Sequence, residues 1–180
     1  MKKTYLLFCI MVSALVFCQE TITDKPTETT IFDRKHELKV GAVKLLAGPI
    51  LEVTYEYIYS KNFTYGSSIL VNLSKNSDYP EDFSVTPFAR FYFQETKEYG
   101  AKGFFVEGFA KYFAGNNNIN YYSTNEKYSA GALGLALGKK WINSSGFVFE
   151  TLIGFGRTLG GNINTPEAVF RGDLFLGYRF

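Results

Sequence analysis

The sequence predicts an all-β protein, an eight-stranded antiparallel up-and-down transmembrane β-barrel that follows a cleaved N-terminal signal peptide. Three observations predict it. Strand-like runs follow one another to the end of the chain, most near the roughly 9 to 11 residues that a tilted membrane-crossing strand needs, against about 5 or 6 in soluble sheets. Apolar and polar residues alternate within them with the period of two that separates the faces of a strand. Composition agrees, with 18% aromatic residues and 17 Gly against 5 Pro. Aromatic side chains suit a pleated surface, and glycine marks bends and tight packing. The 180 residues suffice for one domain, and a formal net charge of +2 gives no argument for nucleic acid or another strongly charged partner.

The elements follow in order. Residues 1–18, MKKTYLLFCIMVSALVFC, have the basic start, short apolar stretch and return to polarity of a secretory signal peptide. The apolar stretch is shorter than the roughly 20 residues of a spanning helix. Cleavage is expected after Cys18. The rival reading, a lipoprotein signal with Cys18 lipidated, meets the bulky Phe17 where such motifs carry a small residue. Both cysteines, Cys9 and Cys18, lie in this segment, so the exported chain is expected to hold no internal disulfide. Residues 19–35 are polar, Thr-rich and aperiodic, and read as a flexible leader.

Residues 36–180 hold the barrel. Its runs are expected at 37–46, 50–60, 63–73, 83–93, 104–114, 128–142, 147–159 and 169–180, with no helical period competing. The links KN (61–62) and NSS (143–145) read as tight hairpin turns. Those after the third, fifth and seventh runs are longer and polar. Short turns at one end and long loops at the other are the pattern of outer-membrane barrels, with the short turns periplasmic. Two links depart from it: the one around Gly48 and Pro49 is short for an outside loop, and QETKEYGAKG (94–103) is long for an inside turn.

The alternation assigns faces. Leu51, Val53, Tyr55 and Tyr57 oppose Glu52, Thr54, Glu56 and Ile58. Phe104, Val106, Gly108 and Ala110 oppose Phe105, Glu107, Phe109 and Lys111. Leu133, Leu135 and Leu137 oppose the small row Ala132, Gly134, Ala136 and Gly138, and the last run sets Phe170, Leu174, Leu176, Tyr178 and Phe180 against Arg171, Asp173, Phe175 and Arg179. With the apolar set in lipid, the lumen holds Glu52, Glu56, Glu107, Glu150 and Asp173 beside Arg90, Lys111, Arg171 and Arg179. So small a barrel has room only for side chains, and isolated buried charges are costly, so a salt-bridged network is expected. The small row is expected to make room for Phe88, Phe109 and the arginines. A soluble barrel with its charges in water is the alternative.

Aromatic residues gather near run ends as two girdles. Tyr57, Tyr59, Phe63, Tyr65, Phe91, Phe93, Phe104, Trp141, Phe147, Tyr178 and Phe180 mark the periplasmic end, and Phe83, Tyr112, Tyr128, Phe155 and Phe170 the other. With the signal peptide, the eight runs, the hairpin LEVTYEYIYSKNFTYGSSI and the terminal LFLGYRF, the chain from about residue 37 to 180 resembles the small outer-membrane barrels of the OmpA membrane-domain and OmpX type, and an uncharacterised barrel family with a Tyr-Glu-Tyr strand before a tight turn. The resemblance implies a bacterial outer-membrane location, contact with outer-membrane lipid and lipopolysaccharide, and a C-terminal Phe180 read as an assembly signal by the barrel-assembly machinery. It implies no catalytic motif.

Chemistry-bearing patterns are sparse. His36, the only histidine, falls at the periplasmic rim, and no spacing brings a serine to it. No cysteine pair, histidine cluster or acidic loop suggests a metal, and the glycines of GLALGK and GFGRTLGG lie in strand context, which argues against a phosphate loop. No catalytic residue, cofactor or metal is therefore expected. The expected role is a non-enzymatic structural or surface-interaction barrel, monomeric, with the Asn- and Tyr-rich loop at 115–127 as a contact. A small-ligand carrier or narrow channel and a lipid A-modifying enzyme are the alternatives.

Overall fold

The computed structural model describes residues 34–74, 79, 81–93, 100–117, 126–161 and 165–180. The expected signal peptide, the leader up to residue 33 and most of the 115–127 loop lie outside the described residues. Eight strands are present: β1 (His36–Gly41), β2 (Ile50–Ile58), β3 (Phe63–Asn72), β4 (Phe83–Tyr92), β5 (Gly103–Asn117), β6 (Glu126–Ile142), β7 (Phe147–Leu159) and β8 (Ala168–Arg179). Each pairs antiparallel with the next, and β1 pairs with β8 to close the barrel. At the seam Glu37 stands opposite Arg179 and Gly41 opposite Phe175. The His36 N–H donates to the Phe180 carbonyl at 3.2 Å, and the Phe180 N–H to the His36 carbonyl at 2.8 Å. Closure leaves no long edge to recruit another chain.

The period of two governs burial. Leu133, Leu135 and Leu137 are 56%, 67% and 62% exposed, while Ala132 and Ala136 between them are buried. On the other strands, too, large apolar residues such as Ile69, Phe91, Ile153 and Leu176 stand outside, and most of the charged ones are buried inside. The lumen wall is lined by rings as well. A Cβ at Gly134 would collide with the ring of Phe109, and one at Gly138 with the ring of Phe105. The small row of β6 thus seats Phe105 and Phe109, whereas Phe88 lies against Gly66 of β3.

The first run differs from expectation. β1 ends at Gly41, and residues expected to continue it to 46 form a short helix, α1 (Ala42–Ala47). Ala42, Lys44, Leu45, Leu46 and Ala47 favour helix, and Gly48 and Pro49 stop it. Gly41 at the N-cap brings no side chain, so the helix takes its acceptor from across the seam. Asp173 of β8 accepts the Val43 N–H at 2.8 Å and the Lys44 N–H at 3.4 Å. The link that read as short around Gly48 and Pro49 is in fact the whole stretch 42–49, at the same end as the long loops.

The opposite end, where β1 begins and β8 finishes, carries the tight turns. Asn143 accepts the Ser145 and Phe147 N–H groups at 3.0 and 2.9 Å, and Gly146 adopts φ +98°. Of the link that reads as long for a turn, residues 100–102 are described, and they pack on the barrel mouth. Its Ala101 is fully buried at φ +54° and donates its N–H to the Lys61 carbonyl at 2.7 Å. Tyr128 also corrects an expectation. Its place near a run end puts it in the outer aromatic girdle, but it is buried on the lumen side with its ring 6.0 Å from that of Phe113. Its parity is that of Ala130 and Ala132, both buried.

Candidate functional site

The lumen gathers nearly all the buried charge, and all of its ion pairs but one run as a connected ladder. At the end with the tight turns, Arg179 donates through Nε to Glu37 Oε1 at 2.7 Å and through Nη1 and Nη2 to the Gly100 and Ala101 carbonyls at 2.9 and 3.2 Å. Lys140 Nζ bridges Glu37 and Glu56 at 2.7 Å each. Lys39 Nζ bridges Glu56 and Glu150, 2.7 Å from the latter.

Arg90 occupies the middle. Its Nη1 donates to Glu56 at 2.5 Å and Glu150 at 2.9 Å, and its Nε to Glu107 at 2.6 Å. The guanidinium also lies 4.3 Å from the ring centroid of Phe88 and 4.6 Å from that of Phe105. Such faces attract a delocalised cation, which offsets part of its lost hydration. Arg171 continues the ladder, with Nε on Glu107 at 2.5 Å, Nη1 on Glu52 at 3.2 Å and Nη2 on the Ser68 hydroxyl at 3.1 Å. Lys44 of α1 reaches down to Glu52.

The far mouth is closed by a separate pair, Lys111 Nζ to Glu81 Oε1 at 2.6 Å. Glu81 belongs to the link between β3 and β4, and its side chain brings that end of the link to the opening. Tyr79 follows it in: burial first, then the carboxylates of Glu81, Glu52 and Asp173, push its phenol upward.

The sequence-predicted positions Glu52, Glu56, Arg90, Glu107, Lys111, Glu150, Arg171, Asp173 and Arg179 are all buried, and all but Asp173 join carboxylate to cation. Asp173 instead serves the backbone of α1 and its own neighbour, the Leu174 N–H, at 2.7 Å. Glu37, Lys39, Lys140, Glu81 and Lys44 join the lumen network beyond those sequence-predicted positions. With them the acids Glu37, Glu52, Glu56, Glu81, Glu107, Glu150 and Asp173 match the bases Lys39, Lys44, Arg90, Lys111, Lys140, Arg171 and Arg179 one for one. Chemically this is a charge-matched cluster of side chains in which every glutamate meets a cation and Asp173 meets backbone N–H groups.

His36 stands outside the barrel. Its Nδ1 lies 2.7 Å from the Tyr55 hydroxyl, and its ring stacks 5.9 Å from that of Phe180 at 19°. The group it meets is a phenol on the neighbouring strand. Among the described residues, no group of three His, Cys, Asp or Glu converges as a metal site.

Comparison of the chain with protein-family models, with curated proteins and with solved structures finds no match. What stands beside the sequence resemblance is the architecture itself, a closed eight-stranded antiparallel up-and-down barrel.

Proposed function

We propose that this chain is an exported integral protein of a bacterial outer membrane, with a structural or surface-interaction role and a lumen that does not conduct. The observation that carries the reading is the inverted distribution of its residues. Leu133, Leu135, Leu137, Ile153, Phe155 and Leu176 are each more than half exposed, whereas Glu56, Arg90, Glu107, Lys140 and Glu150 are buried at 1% exposure or less. Soluble monomers rarely show contiguous apolar patches beyond a few hundred Å². In hydrocarbon the same surface is solvated, and a closed barrel meets the demand that every backbone polar group be paired.

In this reading residues 1–18 are the signal peptide, and the end with the tight turns faces the periplasm. Trp141, Phe147, Tyr178 and Phe104 lie at that bilayer boundary. The barrel is a monomer, and its long loops meet lipopolysaccharide. Phe180 is the address for the barrel-assembly machinery. The test is expression of the full chain in a Gram-negative host, followed by membrane fractionation and N-terminal sequencing. The expected product is shortened by the signal, resists alkaline extraction from the outer membrane and migrates differently on gels when unheated. Recovery as a soluble, unprocessed protein would refute the reading.

A further inference from the structure

On the outer face, β6, β7, β8 and β1 together form an open groove of about 840 Å³ near the end with the tight turns. That is the size of a small-molecule cleft. Its walls are apolar and aromatic, among them Leu38, Trp141, Phe147, Phe149, Leu176 and Tyr178, and no Asp or Glu side chain lines it.

Two cations flank the groove, each docked on one of its rings. The Arg34 guanidinium lies 5.9 Å from the Tyr178 ring centroid and donates to the Tyr178 hydroxyl and the Ser145 carbonyl, both at 3.2 Å. Lys139 Nζ lies 5.0 Å from the Trp141 ring and 4.6 Å from that of Phe104. Among the described residues, neither cation makes an ion pair, in contrast to the lumen bases, each of which meets a carboxylate. Among the described residues, the outer face therefore carries positive charge without a paired carboxylate beside a groove suited to hydrocarbon.

We infer that this groove seats an anionic glycerophospholipid of the periplasmic leaflet, its acyl chains against Leu38, Phe149 and Leu176 and its phosphate facing Arg34 and Lys139. The inference rests on the membrane reading above. Charge complementarity selects the headgroup. A zwitterionic lipid brings its own ammonium to a place that already holds two cations, while an anionic one supplies the missing charge, and basic residues near a bilayer surface favour anionic lipid.

Trp141 is the only tryptophan of the chain, so it reports on the groove alone. The full chain is folded into phosphatidylcholine vesicles doped with equal mole fractions of acyl-brominated phosphatidylglycerol or acyl-brominated phosphatidylcholine, and quenching of Trp141 is read. Phosphatidylglycerol should compete for the site at least about threefold better. In Lys139→Gln, and in Lys139→Gln combined with Arg34→Gln, that preference should shrink and then vanish while both lipids still quench. Equal quenching in the parent, or a preference that survives the double substitution, overturns the site and leaves the membrane reading standing. A folded parent quenched by neither lipid removes both. The parent comparison decides the matter even if the double variant folds poorly.

Discussion

Arg90 concentrates the problem of the lumen in one residue. It is 1% exposed, and its guanidinium serves Glu56, Glu107 and Glu150 at once. Replacing such a group leaves carboxylates buried with fewer cations, and breaking a buried pair from one side costs roughly 3 to 5 kcal/mol. Arg90→Ala and Glu107→Ala should each lower the unfolding free energy obtained from urea titration by an amount in that range and shift the midpoint down accordingly, whereas Lys139→Ala, outside the lumen, should not. Midpoints equal to the parent's would mean that the ladder is incidental to stability. Phe180 makes the opposite case. It is 55% exposed, held by its backbone bonds to His36 and by stacking on that ring. Truncating so exposed a side chain forfeits at most about 1 to 3 kcal/mol. Deleting Phe180 should therefore leave refolding in detergent nearly intact while lowering outer-membrane levels in cells, and normal cellular insertion would refute its role as an address. Much of the lumen was legible at this scale. Glu52, Glu56, Arg90, Glu107 and Glu150 follow from strict alternation, and the same alternation reaches Glu37, Lys39 and Lys140, the last sharing its face with Ala132 and Ala136. Glu81 carries no such signal, because it lies in a link and reaches Lys111 only after the chain bends.

Strands with two contrasting faces were readable as elements, and the one element that was not is α1. Its residues extend an alternating run without a break in hydrophobicity, and helix and strand are hard to separate over so few residues. What decides is tertiary: Asp173, from the far end of the sequence, supplies the N-terminal acceptor that Gly41 lacks. Lys44 escaped assignment to the lumen for the same reason, since its position in a helix lets it turn back to Glu52. β6 is the clearest strand of all. Alternate leucines face out over a row of small residues, and the rings of Phe105 and Phe109 occupy the space that side chains at Gly138 and Gly134 would need. A charge at the centre of the outward row tests the facing. Leu135→Arg should cost about 2 to 4 kcal/mol when the barrel is folded into vesicles, the penalty for a basic residue at bilayer mid-depth on a barrel. Equal stability of parent and variant in the bilayer would show that this face does not meet lipid.

At the scale of the whole molecule, the question is whether the barrel is a conduit. Eight strands leave an interior that side chains can fill, and here three layers fill it. Arg179 ties the returning link at Gly100 and Ala101 across one mouth. Arg90 and Arg171, between Glu107 and the rings of Phe88, Phe105 and Phe109, block the middle. Lys111 and Glu81 close the other mouth. An ion crossing the lumen would have to displace paired charges in each layer, and the matched acids and bases give neither sign of ion an inviting field. The parent should accordingly show no steady conductance in planar bilayers. Arg179→Ala sharpens the expectation. It frees only the mouth, leaving the layers at Arg90 and at Lys111 intact, so it should admit a protease to the link at residue 100 from the end with the tight turns and still pass no current. A large steady pore in the parent would overturn the plugged-lumen reading outright. Current in Arg179→Ala alone would show that the mouth, and not the ladder behind it, is what seals the barrel.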